Sequence, residues 1–346
     1  MEYRILNNFF YPRALKPILA LAMLFLLVPG ICNAQPGGQV GADSIRYEIG
    51  WMKQVTQDDL KGNENLINKI GAFILGAEPV LLKKPVAIMA RDPGRMWILD
   101  QDTRTLFQIS GGKASQPGCM KKNAIHLPSL VDMCMVPGGN ILFTDSYRGQ
   151  ILMVEAGNPE CQAFHPSPDL DQPTGIAYSP VHREIWVAET GAHCISVFNL
   201  EGKRIRKVGK RGTGPGEFNF PTHIAIDPSG HVYVVDAMNF RVQILDATGA
   251  FLSAFGGIGN ATGYFASPKG IAVDSHGFIY VADARFHAVQ VFNRDGTLLS
   301  YFGTQGHDQG EFWMPAGLFI DEADRIYVAD SYNSRIQIFE IKPVSE

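Results

Sequence analysis

The chain is short of cysteine, of charge and of long apolar runs, and each shortage closes a class of function. Five cysteines stand among 346 residues, none in a CxxC pair or a mixed Cys/His cluster. Structural zinc is therefore not expected, and a miniature fold stapled by disulfides is excluded. The apolar run Pro17 to Val28 is about a dozen residues, whereas a helix that spans a bilayer needs about 20. Lys and Arg number 30 against 34 Asp and Glu, a formal net charge of −4. Without a basic excess the surface cannot displace counterions from phosphate, so nucleic acid is excluded as a general partner. No Ser, His and acid set shows a recognisable spacing. Turn residues are abundant instead: 36 Gly and 21 Pro fit many short strands joined by tight turns.

Residues 1–34 read as a secretory signal peptide. Arg4, Arg13 and Lys16 make a basic start, the apolar run follows, and Cys32-Asn33-Ala34 puts small residues before a cut at Gln35. The expectation is export to a periplasm or the cell exterior, with no stable membrane span once the signal is removed. Removal takes three of the 30 basic and one of the 34 acidic residues, leaving 27 against 33 and a mature charge of about −6. Of the remaining cysteines, Cys134 and Cys194 fall inside apolar runs and read as small core residues. Cys119 and Cys161 lie in irregular segments, and an oxidising compartment would allow them to pair.

One stretch recurs through the rest of the chain. IYVADSYNSRIQIF begins at Ile326, and versions of it begin at Ile279, Val232, Ile185, Ile141 and Met96. The starts are separated by 47, 47, 47, 44 and 45 residues. Strand-like runs at a period in the forties, separated by turns, define a propeller with one repeat per blade. The expected fold is all-β: a six-bladed propeller over residues 85–346, with blades starting near 85, 128, 173, 221, 268 and 315. The sixth copy runs out after three strands. Ile45 to Met52 (IRYEIGWM) alternates as a strand does and would complete that blade, leaving no open edge between first and last blades. Residues 35–84 thus hold the closing strand and a long connection. Within it Leu66, Ile67, Ile70 and Ile74 recur near a helical period, so a short helix is expected there, either as a plug over apolar surface or as a lid over a ligand.

Antiparallel blades fix which loops share a face. Turns of the DPSG type lie on one face, the bottom. The stretches after Asp100, Asp145, Glu189, Asp236, Asp283 and Asp330, with the Gly-rich linkers 209–221 and 303–315, lie on the other, the top. An acid that returns in every blade is read as structural, holding the amides of its turn. Arg241 and Arg335 are read as partners of that acid or of nearby carbonyls.

The pattern P-x-G-I-A-V-D, I-Y-V-A-D, R-I-Q-I-F, D-G, F-G-x-x-G-x-x-x-G-E-F resembles the NHL repeat, with strong copies over residues 173–340 and degenerate ones before. The resemblance implies the fold and the blade count. It implies no single activity, since NHL propellers serve as binding, sensor and occasionally enzyme modules. In the related amidating lyases, zinc histidines directly follow the blade-opening proline. Here the followers are Val86, Ser129, Thr174, Thr222, Lys269 and Ala316, none a histidine. In the calcium-dependent lactonases a Glu, Asn and Asp set surrounds the axis. Asn239 and Asp283 would suit it, but Val86 to Ala90 offers no carboxylate.

Residues that depart from the repeat are the candidates for function, because the fold does not require them. On the top face these are Tyr147, Arg148, His193, His223, Asn239, Arg285, His287, Tyr332 and Asn333. His223 replaces the glycine found at Gly175, Gly270 and Gly317. Tyr and Arg combine contact area with a polar tip, as recognition surfaces do. The expected function is non-catalytic recognition or sensing in the cell envelope, of a protein, peptide, glycan or small ligand, with no cofactor and no metal. The alternative is a metal-dependent hydrolase or lyase in the channel, using His193, His223 or His287. The basic run Lys203, Arg204, Arg206, Lys207, Lys210 and Arg211 reads as a solvated sheet edge rather than an anion site.

Overall fold

The computed structural model describes residues 47–60, 82–120, 127–158, 160–164 and 170–343. The signal peptide and the helix expected around Leu66 to Ile74 lie outside them. Six four-stranded antiparallel sheets form the six blades. In the sixth, Pro315–Ile320, Ile326–Asp330 and Arg335–Pro343 are joined by Tyr47–Val55 as the outermost strand. Its register runs from Tyr47 opposite Pro343 to Val55 opposite Ile336, with one bulge between Trp51 and Lys53. Trp51 packs on the cluster between blades five and six and donates its indole N–H to Gln337 Oε1 at 3.1 Å. The last blade is thus closed by pairing the first described strand with the last. A single helical turn, Gln57–Leu60, follows, and Thr56 caps it by donating both its amide and its hydroxyl to Asp59.

The second strand of each blade is apolar on both faces because it is covered on both: all five residues of Val232–Asp236, Ile279–Asp283 and Ile326–Asp330 are buried. The core is distributed as six clusters, each between neighbouring blades. Trp186, Val197, Phe218, Ile224 and Val234 form one, between blades three and four. Burying a side chain of this size is worth about 1.5–3 kcal/mol, so each interface holds its two blades in register.

Blades one and two are the degenerate pair. Their outer strands, Lys113–Ser115 and Cys161–Ala163, have three residues each, and a disulfide between Cys119 and Cys161 ties the segments that follow and form them. Cys134 and Cys194 are buried free thiols. The register of blade two also differs from the one its proline marks. Leu130, not Pro128, stands opposite Asp145, because the strand Leu130–Met135 begins two residues after the proline. The residue equivalent to Thr222 and Lys269 is therefore Val131 rather than Ser129.

Candidate functional site

The six acids at the ends of the second strands are fully buried, and each accepts an amide from the linker entering its own blade. Asn219 N donates to Asp236 at 2.6 Å, Trp313 N to Asp330 at 2.8 Å, Lys83 N to Asp100 at 2.7 Å and Asp171 N to Glu189 at 3.0 Å. In blade six Asp330 Oδ2 also receives Arg335 Nε at 2.7 Å, Asn333 Nδ2 at 2.9 Å and Gln337 Nε2 at 3.1 Å. The Arg335 fork continues to three carbonyls of the linker, those of His307, Asp308 and Glu311. Arg241 does the same for Thr213, Gly214 and Glu217. These residues build the top face and hold its loops in place.

Several candidate residues belong to that framework. Asn239 donates to Gly212 O and to Asp236, and Asn333 repeats this with Gly306 O and Asp330. His193 and His287 both turn the chain at positive φ, 55° and 53°. Their Nδ1 atoms accept the amides of Phe220 and Met314, each at 3.1 Å. Each imidazole thus latches its blade to the linker of the next. His193 is 8% exposed and packs edge-on against Phe220. These two rings and His223 are not brought together as ligands: among the described residues no group of three or more His, Cys, Asp or Glu stands where it could hold a metal ion.

The remaining candidates form the rim. Tyr147 is 81% exposed and Tyr332 56%. Each is the second residue after its blade's acid, a position held elsewhere by Asp102, Gly191, Met238 and Arg285. Met238 is 57% exposed, and Arg285 is exposed with its amide on Asp283. Arg148 lies beside Tyr147 and donates to Gln150 Oε1 at 2.7 Å. Lys84 places its ammonium 5.6 Å from the centre of the Tyr332 ring, a cation–π contact.

At the axis, the first strands of the blades enclose a cavity of about 730 Å³. Its wall is mostly apolar, with Met133, Ile176, Ile224, Ile271 and Phe319 among the lining, and it reaches Arg91, Arg95 and Glu322 at the bottom turns. Its upper tier is the third residue of each first strand: Ala87, Asp132, Gly175, His223, Gly270 and Gly317. The small residues are required by contact between blades, since a Cβ on Gly175 would come within 2.6 Å of His223 Cα and Thr222 O. Asp132 instead reaches across to blade three and accepts Ile176 N at 3.1 Å, with Met133 N at 2.9 Å on its other oxygen. Burial outweighs these two bonds and pushes its carboxyl up to about 7. Burial, with the Lys269 charge next to it, pushes the His223 imidazole down to about 3. His223 Nδ1 and Thr222 Oγ1 are buried and have no hydrogen-bond partner among the described residues.

His223 stands out in the sequence as a broken glycine pattern. Asp132 does not, because Pro128 sets the register of blade two wrongly and hides the carboxylate in the tier. Lys269 enters the sequence reading only as a position that is not histidine.

Fold and site together define a six-bladed β-propeller with a structured top face and an apolar channel. A family model described as a 6-bladed beta-propeller matches residues 179–252, and the NHL repeat model matches residues 265–292 and 312–339. The chain carries NHL repeats. It is 45% identical over 47 residues to NHL repeat-containing protein 3 of Homo sapiens, which is 13% of this chain and 14% of that relative's length. Among solved structures it is similar to an auxiliary nutrient binding protein from Bacteroides thetaiotaomicron, at TM-score 0.60 and 13% identity, over 86% of this chain and 77% of that one. It is also similar to virginiamycin B lyase from Staphylococcus aureus, at TM-score 0.57 and 14% identity, over 85% and 99% of the two chains. At such identities the likeness is one of fold.

Proposed function

We propose that this propeller is a non-catalytic recognition module of the cell envelope that binds a protein, peptide, glycan or small ligand over its top face. The observation that carries the reading is the rim: Tyr147, Met238 and Tyr332 are all more than half exposed, on turns tied to the buried acids below by the amide of Arg148 and the side chains of Asn239 and Asn333. An exposed tyrosine on a rigid turn has few torsions to freeze on binding, and buried aromatic anchors are where affinity is concentrated. The similar nutrient-binding structure supports a binding role and the similar lyase an enzymatic one. The catalytic alternative would need converging ligands, and His193 and His287 spend their Nδ1 atoms on backbone amides. Export is supported by the basic start, apolar run and small residues of positions 1–34, and by the disulfide.

The test is partner capture from an envelope fraction by the full chain and by a Tyr147→Ala, Tyr332→Ala variant of unchanged melting temperature. Loss of a captured species in the variant is expected. Equal capture by both proteins, or turnover of lactone or peptide substrates that depends on added metal, overturns the reading.

A further inference from the structure

Blade one breaks a pairing that closes the bottom of the later blades. In blades four to six an acid follows the first strand, Asp227, Asp274 or Asp321. It accepts the hydroxyl of a buried tyrosine on the second strand, Tyr233, Tyr280 or Tyr327, at 3.1, 3.0 and 2.7 Å. The strand registers place Arg91 where those acids stand and Trp97 where those tyrosines stand. A guanidinium and an indole N–H are both donors and cannot make that bond. Neither residue is shut in: Arg91 is exposed and Trp97 only part-buried. Arg91 reaches across to blade two, where Nη2 meets Met135 Sδ at 3.9 Å, and it has no carboxylate partner among the described residues.

Blade three shows what covers a tryptophan at this position. Trp186 is fully buried, and Arg206 of the outer strand lies over its ring, 5.0 Å from the centre. The outer strands of blades one and two have only three residues each, and among the described residues no cation lies over Trp97. The space left is a cleft of about 750 Å³ at the bottom of the junction between these blades. Its walls carry Trp97, Ile109 and Val154, the neutral side chains of Gln108, Ser115 and Gln116, and the cations Arg91 and Arg95. Arg95 is paired with Asp92 at 2.8 Å, which leaves Arg91 as the unpaired one. Glu155, on the blade-two wall, is engaged by Gln162 and Asn158. Gly138 and Gly157 on the same wall have only open space where a Cβ would stand, so the cleft is accessible from both blades.

We propose that this cleft binds an acidic saccharide, with a sugar ring against Trp97 and its carboxylate on Arg91. An arginine fork meets a carboxylate through two parallel hydrogen bonds. An indole offers a flat apolar surface to the C–H side of a sugar ring, and amide and hydroxyl side chains match sugar hydroxyls, which both donate and accept. The cleft volume falls in the range of about 300–1,000 Å³ typical of small-molecule sites. The cleft opens at the bottom turns, on the face opposite the rim, so binding there and capture by the rim can fail separately.

Calorimetric titration of the full chain with trigalacturonate, with maltotriose as the neutral control, tests the site. One-site binding of trigalacturonate is expected, with maltotriose much weaker. Arg91→Met should weaken trigalacturonate about tenfold, the scale of a charge-assisted hydrogen bond, at an unchanged melting temperature because the side chain is exposed. Binding should change tryptophan emission in the wild type and not in Trp97→Phe, which keeps an aromatic ring in the packed position. The Tyr147→Ala, Tyr332→Ala variant should bind as the wild type does. Absence of binding at millimolar trigalacturonate, equal binding of maltotriose, unchanged affinity in Arg91→Met, an emission change that persists in Trp97→Phe, or loss of binding in the rim variant overturns the proposal.

Discussion

Arg335 provides the sharpest test of how the top face is held together. Its Nε meets the fully buried Asp330 at 2.7 Å, and its fork donates to three linker carbonyls at 2.7, 2.8 and 2.9 Å. Arg335→Met removes five hydrogen bonds, one of them to Gln54 Oε1 at 3.1 Å, and leaves a buried carboxylate without its cation. Breaking a buried pair from one side costs about 3–5 kcal/mol. Asp330 keeps the donors of Trp313, Asn333 and Gln337, which places the expected loss near the lower end, about 3 kcal/mol. At roughly 2–4 °C per kcal/mol for a domain of this order of size, the melting temperature should fall by about 10 °C. Adding Asp330→Asn should recover part of the loss, because the double variant no longer buries an unpaired charge. Urea titration followed by tryptophan fluorescence reads both variants. A loss under about 1 kcal/mol for Arg335→Met, or full additivity in the double variant, would show that the clamp does not stabilise the blade and refute the reasoning.

Other expectations follow from the same structure. Blade five has Ala288 where Arg241 and Arg335 stand, so the amides of linker 257–267 should exchange hydrogen faster than those of linkers 209–220 and 303–314. Trp51→Ala removes a packed ring and its bond to Gln337. It should lower stability by about 3 kcal/mol, and a protease should then release the Tyr47–Val55 strand first. Reducing the Cys119–Cys161 bond, which spans 42 residues, should cost about 4 kcal/mol on the loop-entropy estimate, read as a shift in urea midpoint. The Asp132 carboxyl is raised to about 7 when folded, against about 3.9 when unfolded. The unfolded chain therefore loses this proton first, and stability should decline as pH rises from about 4 to about 7; Asp132→Asn should flatten that part of the profile.

Fold and site differ in how much of each is legible in the residues. The 47-residue period, the alternation of Ile49 and Trp51 beside a sixth blade that lacks a strand, and the return of an acid before each top turn all express constraints that act locally and repeat. Such constraints survive in a single sequence. His193 and His287 show the opposite case: as departures from the repeat they look like ligands, yet their roles depend on a positive φ and on an amide 27 residues away. Asn239 and Asn333 are also set by distant carbonyls. The channel groups are less legible still. Thr222 Oγ1 has no partner because Ala237 lacks the hydroxyl that Thr190 offers Thr174 one blade earlier, a relation that appears only when blades are compared.

Photocrosslinking tests the recognition account most directly. A photoreactive residue would be placed at position 147 or 332 on the top rim, or at Ser229 in a bottom turn, and each protein irradiated in its native envelope fraction. The account predicts a discrete adduct from both rim positions and none from Ser229. Adducts from Ser229 alone, or from no position at all, would contradict a recognition surface on the top face.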